Sequence, residues 1–269
     1  MSRLVVKKTG PGPDGNTIRI TPASAGWKYV GFEAYTLRSG QSLSRTTEGN
    51  EVCLVVLTGR VTVVSGPDRW ENIGERMSVF EGKRPYAVLL PPGREWTVEP
   101  LTDAEVAVCS APAEKKTPAR LITPGQMSVE HRGAGNMTRV VHNILPENEP
   151  AESLLVVEVF VNDGCWSGYP PHKHDESNLP VESYLEETYY HKLNPADGFA
   201  LMSAYKSDGT MDEGIVVRDG NAVLVPCGFH PLVAPPGHKV YFINVMAGPV
   251  RTWRFFIDPV CLAAVGGGK

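Results

Sequence analysis

An all-β fold is predicted, and three observations carry the prediction. Short runs rich in β-branched and aromatic residues recur along the chain. Glycine and proline, 27 and 23 of 269 residues, fall between those runs instead of gathering in one linker. No segment sustains the apolar spacing of a long amphipathic helix. Many short strands joined by turns build a barrel or a sandwich.

The elements follow in order. Glu51–Gly66, EVCLVVLTGRVTVVSG, is two β-branched runs around Thr58-Gly59-Arg60 and reads as a hairpin. Leu154–Val161 (LLVVEVFV) and Gly198–Tyr205 (GFALMSAY) read as strands. Gly214–Gly228, GIVVRDGNAVLVPCG, reads as a second hairpin with Asp219-Gly220 as its turn. Lys239–Gly248 (KVYFINVMAG) and Arg251–Asp258 (RTWRFFID) complete the set. Glu51 stands 40 residues before Pro91-Pro92-Gly93, and Glu187 stands 39 residues before Pro226-Cys227-Gly228. Matching order and near-equal spacing predict two copies of one module. They divide as residues 1–120 and 121–269, with the junction in the Pro- and charge-rich segment Pro112–Gly125.

Composition excludes several classes of partner. A net charge of -4 and a pI near 6.0 leave no polybasic footprint for nucleic acid or anionic membranes. The opening MSRLVVKKTGPGPDG is too short in apolar residues for a signal peptide, and no run approaches the roughly 20 apolar residues of a membrane span. The 5 cysteines are scattered and odd in number, which fits a reducing cytoplasm better than a disulfide framework.

The chemistry concentrates in Gly168–His191, GYPPHKHDESNLPVESYLEETYYH. His172 and His174 are two apart, so in a strand both imidazoles face one side. Pro170-Pro171 stiffens the approach. Glu187 follows His174 by 13 residues, and His230 follows Glu187 by 43, just past Pro226-Cys227-Gly228. A lone His-x-His in a polar loop is usually solvated. A downstream glutamate and a histidine after Pro-x-Gly turn the reading toward a metal. Three imidazoles and one carboxylate suit divalent Zn, Mn, Fe, Co or Ni. His131, His142 and His238 lack partners at useful spacing and read as surface or capping residues. His191 shares the strand parity of Glu187, so it faces the cavity or backs the ligands at the strand's end. Cys227 lies three residues before His230, a spacing zinc sites use, but small buried cysteines are commoner.

These motifs resemble the cupin superfamily, whose module carries His-x-His, a glutamate, and a histidine after Pro-x-Gly; two copies make a bicupin. SGYPPHKHD, LEETYYHKLNP, VLVPCGFHP and NVMAGPVRTWRFFIDP further resemble the 5-deoxy-glucuronate isomerase (IolB) family. That family is related to the 4-deoxy-L-threo-5-hexosulose-uronate ketol-isomerases. The resemblance implies two tandem double-stranded β-helix (jelly-roll) barrels, with His172, His174, Glu187 and His230 holding one metal per chain in the second. The interval from His174 to Glu187 is longer than in simple cupins, through ESNLPVESYL, which reads as a loop roofing the cavity. Strand parity leaves Glu186 as a rival to Glu187; the resemblance favours Glu187. The first module has no histidine in Leu37–Glu51 and has Trp96 where the second motif would place one. It is expected to be metal-free, with Glu51 a relic or an ion-pair partner.

The implied activity is an aldose–ketose isomerisation in myo-inositol catabolism, 5-deoxy-D-glucuronate to 5-dehydro-2-deoxy-D-gluconate, through a metal-stabilised enediolate. Glu186, His191 and Tyr189 are the candidates for moving the proton. Among Lys173, Lys239, Arg251 and Arg254, Arg251 is the candidate for the substrate carboxylate; Lys173 points away from the two histidines. Tyr241 is a candidate for a substrate hydroxyl. The bland alternatives are solvated charges and packing. Rival functions on the same fold are an iron dioxygenase, another uronate isomerase and a non-enzymatic sugar-binding bicupin. A homo-oligomer is compatible with any of them.

Overall fold

The computed structural model describes residues 2–114 and 117–266. Lys115 and Lys116, within the expected junction, lie outside them. Strands dominate; the only α-helices among the described residues are the short Pro22–Ala25 and Pro259–Ala264.

Each half pairs a large sheet with a small one. In the first half a six-stranded sheet is centred on Asn50–Thr58 and Ala104–Pro112. A four-stranded sheet of Leu43–Thr46, Glu95–Pro100, Val61–Ser65 and Asp68–Ile73 covers one face. In the second half a seven-stranded sheet is centred on Glu186–Asn194 and Lys239–Ala247. Its four-stranded cover includes Ala200–Tyr205 and Asp212–Val217.

Three apolar cores result. Val52, Leu54 and Val56 point into the first half, toward Val61, Val63 and Trp96. Tyr189, Leu193, Phe242 and Met246 point into the second, toward Met202 and Ile215. The third core lies between the two large sheets. There Cys53, Val55 and Leu57 meet Tyr190, Tyr241, Ile243 and Val245. The central strands are therefore buried on both faces, which is why EVCLVVLT and VYFINVMA are continuous apolar runs without alternation.

Both expected hairpins are corrected. Asn50–Thr58 belongs to the six-stranded sheet and Val61–Ser65 to the four-stranded one, so the chain crosses between sheets at Gly59. Asp212–Val217 and Ala222–Val225 likewise lie in different sheets. Gly59 has φ +85°, and a Cβ there would meet the Asp103 carbonyl oxygen at 2.3 Å, so the crossing admits only glycine. Of Arg251–Asp258, only Phe256–Ile257 is a strand. It pairs with His172–Lys173.

The halves exchange their leading strands. Val5–Val6 adds to Ala222–Val225, and Arg120–Ile122 adds to Ala87–Leu90. They also exchange carboxylates. Glu186 accepts the backbone N–H groups of Lys28, Tyr29 and Val30 at 2.8, 2.8 and 2.9 Å. Glu51 accepts those of Glu152, Ser153 and Leu154 at 2.8, 3.1 and 3.0 Å. Glu51 lies opposite Ala111 and Glu186 opposite Ala247, so the counterpart of Glu51 is Glu186, and Val52 stands where the second half has Glu187. A buried ion pair adds to this seam. Arg76 donates to both oxygens of Glu158 at 2.9 and 2.8 Å, and Tyr241 donates to Oε2 at 2.9 Å. His142 Nδ1 lies 2.7 Å from Oε1, so His142 is a buried seam residue and not the surface group expected.

Candidate metal centre

Four segments deliver the candidate ligands to the interior of the second half. His172 comes from the two-residue strand held by Phe256–Ile257. His174 follows it, Glu187 opens a central strand, and His230 follows the Pro226-Cys227-Gly228 turn. One ring nitrogen from each of His172, His174 and His230 lies within 4.8 Å of the other two. Glu187 Oε2 is 2.9 Å from His174 Nε2 and 3.2 Å from His230 Nε2. Its other oxygen accepts from Asn244 Nδ2 at 2.5 Å.

The far sides of two of the rings are also fixed. His174 Nδ1 faces the Leu185 carbonyl at 3.0 Å, and His230 Nδ1 faces the Gly228 carbonyl at 2.8 Å. Gly228 has φ +82°, and a Cβ there would come 2.5 Å from the Tyr205 carbonyl oxygen, so the turn that presents this carbonyl requires glycine. A neutral imidazole donates through one nitrogen only. If both rings are neutral and each Nδ1 donates to its carbonyl, the Nε2 lone pairs of His174 and His230 converge on the same carboxylate oxygen. His230 Nε2 is buried with no hydrogen-bond partner. Convergent lone pairs around one carboxylate repel each other unless a cation stands among them. The donor set fits a divalent transition metal, and carbonyl-tethered rings are the usual outer support of histidine ligands.

Burial disfavours the charged form of Glu187, yet the neighbouring imidazoles of His174 and His230 outweigh it and lower its pKa. Burial, then the neighbouring rings of His230 and His174, hold His172 well below its ordinary value. For His174 burial acts downward, but the hydrogen bond and charge of Glu187 win and raise it.

A cavity opens onto this cluster. His172, Glu187, Tyr189 and Asn244 line it, with Arg132 and Arg139. It is small, about 40 Å³, and shares Arg132, Val157 and Trp253 with a neighbouring outer vestibule of about 560 Å³. Tyr189 and Asn244 are cross-strand neighbours on the cavity face. Burial, then the charge of Glu187, pushes the Tyr189 phenol well up, so it keeps its proton.

The other candidates fall elsewhere. Glu186 faces the seam, bonded to backbone N–H groups. His191 is buried behind Tyr189, stacked on it at 6.0 Å; burial holds its pKa to about 4, and the ring is neutral. Tyr241 points to the seam and Glu158. Arg251 donates to the carbonyls of Leu154, Glu147, Glu149 and Pro146 at 2.7, 2.9, 2.9 and 2.5 Å, knotting one loop with no donor set free for substrate. Lys173 points away, held by Asp175 and Glu182. Lys239 begins a strand at the exposed rim, and Arg254 pairs with Glu147. Cys227 Sγ lies 3.9 Å from the Met211 sulfur, outside the ligand cluster. The ESNLPVESYL segment supplies none of the cavity lining; Glu182 pins it back onto the Asp175 and Glu176 amides. Sequence reasoning missed Asn244 and Arg139. Asn244 carries a signal, as the lone polar residue on the inward parity of an apolar strand; Arg139 shares its parity with Asn143 and has none.

A family model described as the KduI/IolB family matches residues 4–262. The chain belongs to that family. Within the KduI/IolB family, it is 56% identical to the 5-deoxy-glucuronate isomerase of Geobacillus kaustophilus over 96% of this chain and 94% of that one. It is 46% identical to the 5-deoxy-glucuronate isomerase of Bacillus subtilis over 89% of each. An IolB-like protein from Salmonella typhimurium LT2 superposes with a TM-score of 0.94 at 44% identity, covering 97% of this chain and 98% of that one. A Bacillus subtilis oxalate decarboxylase, described with Mn(II) centres, matches with a TM-score of 0.62 at 13% identity over 100% of this chain and 85% of that one. That likeness shows the fold: this KduI/IolB member is an all-β chain of two halves, each a large sheet covered by a small one. No helix among its described residues is long and apolar enough to cross a membrane.

Proposed function

We propose that the chain is an isomerase that converts 5-deoxy-D-glucuronate to 5-dehydro-2-deoxy-D-gluconate. The observation that carries this is the three-imidazole, one-carboxylate cluster at the base of an open cavity, in a chain 56% identical to a curated 5-deoxy-glucuronate isomerase. His172, His174, Glu187 and His230 would hold one divalent transition metal. Bound there, such an ion acts as a Lewis acid on the substrate's carbonyl and stabilises developing negative charge on oxygen.

The chain's own residues supply the rest. The Leu185 and Gly228 carbonyls hold the His174 and His230 rings in orientation, and Asn244 fixes Glu187 through its second oxygen. Tyr189 lines the cavity beside Glu187. Of the three proton-moving candidates, Tyr189 is the one that lines the cavity, which supports it as a hydrogen-bond or proton donor to a substrate oxygen. His191 supports it from behind. The 1–120 and 121–269 halves form, in this reading, one unit in which only the second carries a metal. A cytoplasmic enzyme fits five cysteines without a disulfide. A homo-oligomer also belongs to this reading, supported by the exposed edge strand Ser128–Arg132.

The test joins metal analysis to turnover. Purified protein should carry one transition metal per chain and isomerise 5-deoxy-glucuronate anaerobically, far faster than the pectin-derived hexosulose-uronate. His174→Ala should lose both metal and turnover with its circular dichroism unchanged. Full turnover by metal-free His174→Ala protein would refute the mechanism, and oxygen uptake coupled to substrate loss would refute the isomerase.

A further inference from the structure

We propose that Arg139 is the specificity-determining residue of the cavity, seating the carboxylate of a sugar acid, with Arg132 adding charge at the rim. The inference rests on the isomerase reading of the site. Arg139 opens the strand Arg139–Leu145 and lines the same cavity as His172, Glu187 and Tyr189. Only its Nη1 has partners, the carbonyls of Met137 at 3.0 Å and Tyr169 at 3.3 Å. These contacts hold the guanidinium plane and leave Nε and Nη2 without a protein acceptor. That is the edge with which arginine grips a carboxylate through two parallel N–H···O bonds.

Most of the other arginines near the cavity are already compensated. Arg132 donates to Glu130 at 2.7 Å and lies over the Trp253 ring at 5.5 Å. Arg254 is paired with Glu147, and Arg251 is bonded to carbonyls. Among the described residues, Arg139 has no ion-pair partner. Burial, then the like charge of Arg132, lowers its pKa, as for a cation still lacking its anion. One guanidinium fork suits a carboxylate. A phosphate would call for further N–H donors, and the cavity lining offers no helix N-terminus.

The test measures binding and turnover on metal-loaded protein. Calorimetry compares D-glucuronate with D-glucose, which has a hydroxymethyl group in place of the carboxylate. Kinetics compare 5-deoxy-glucuronate with the matching neutral 5-deoxy sugar. Arg139→Gln should weaken the acid about 10–100-fold in Kd and KM, the worth of a charge-assisted pair, while leaving the neutral sugar and the metal content unchanged. Arg139→Lys keeps a charge but not the fork, and should weaken the acid about 3–10-fold; it carries the test if Arg139→Gln does not fold. Equal losses for acid and neutral sugar, or a wild-type protein with no preference for the acid, would overturn the inference. Arg139-dependent binding of glucuronate without isomerisation of 5-deoxy-glucuronate would overturn the isomerase reading and leave the inference standing.

Discussion

Glu186 and Glu187 are adjacent and chemically identical, yet the fold gives them different work. Replacing each with glutamine separates stability from metal binding. Glu186 accepts three backbone N–H groups from the other half, all at 2.9 Å or less. A hydrogen bond to a charged group is worth about 1.5–3 kcal/mol net. Glutamine can keep its oxygen on the Tyr29 and Val30 donors but then sets an amide N–H against that of Lys28. One bond is lost and two are weakened to neutral ones, which costs about 3–6 kcal/mol. In a chain of this size that lowers the melting temperature by roughly 10 °C. Metal content of the folded protein should not change. Glu187→Gln should do the reverse. Neutralising a ligand exceeds the roughly 10–100-fold loss typical of disturbing a ligand's support, so metal should be absent after dialysis. Melting temperatures in chelator and elemental analysis after dialysis read the two effects. Stoichiometric metal in Glu187→Gln, or lost metal with unchanged stability in Glu186→Gln, would refute the assignment of faces.

Two further outcomes follow from the seam and the first half. Trp96→His should leave one metal per chain, because Val52 occupies the position of Glu187 and Leu37–Glu51 has no histidine; two metals per chain, in wild type or variant, would overturn an empty first half. Arg76→Met strands the buried Glu158 carboxylate and should cost about 3–5 kcal/mol at pH 7 by denaturant unfolding. In the wild type, burial opposes ionisation of Glu158, but the charge of Arg76 with the His142 and Arg76 hydrogen bonds lowers its pKa. The pair's stabilisation is thus full above the ordinary carboxylate range and is lost as pH falls through the lowered value. Without Arg76 the carboxyl prefers to be neutral, so the variant's deficit should shrink toward acid; a deficit that grows toward acid would refute the pairing.

Much was legible in the chain itself. Turn residues between β-branched runs determined an all-β fold, and the Glu…Pro-x-Gly spacing suggested two similar halves, although the partner of Glu51 is Glu186 and not the Glu187 that the spacing used. The spacing of His172, His174 and His230 predicted that three imidazoles meet, and the structure brings them together. The tertiary structure decided what alternation could not. Strand parity separates Glu186 from Glu187 but does not say which face is the cavity, because Glu186–Asn194 is buried on both faces. Only the covering sheets reveal that Tyr190 belongs to the seam and Tyr189 to the site. Turn chemistry marked Gly59 and Asp219-Gly220 but not that the chain changes sheets there, since pairing partners come from distant segments. Arg251 and Arg139 look alike as isolated charges. Which guanidinium is consumed by carbonyls and which keeps a free edge depends on the loops the second half folds beside each: the Leu145–Leu154 loop wraps Arg251, while only Met137 and Tyr169 reach Arg139.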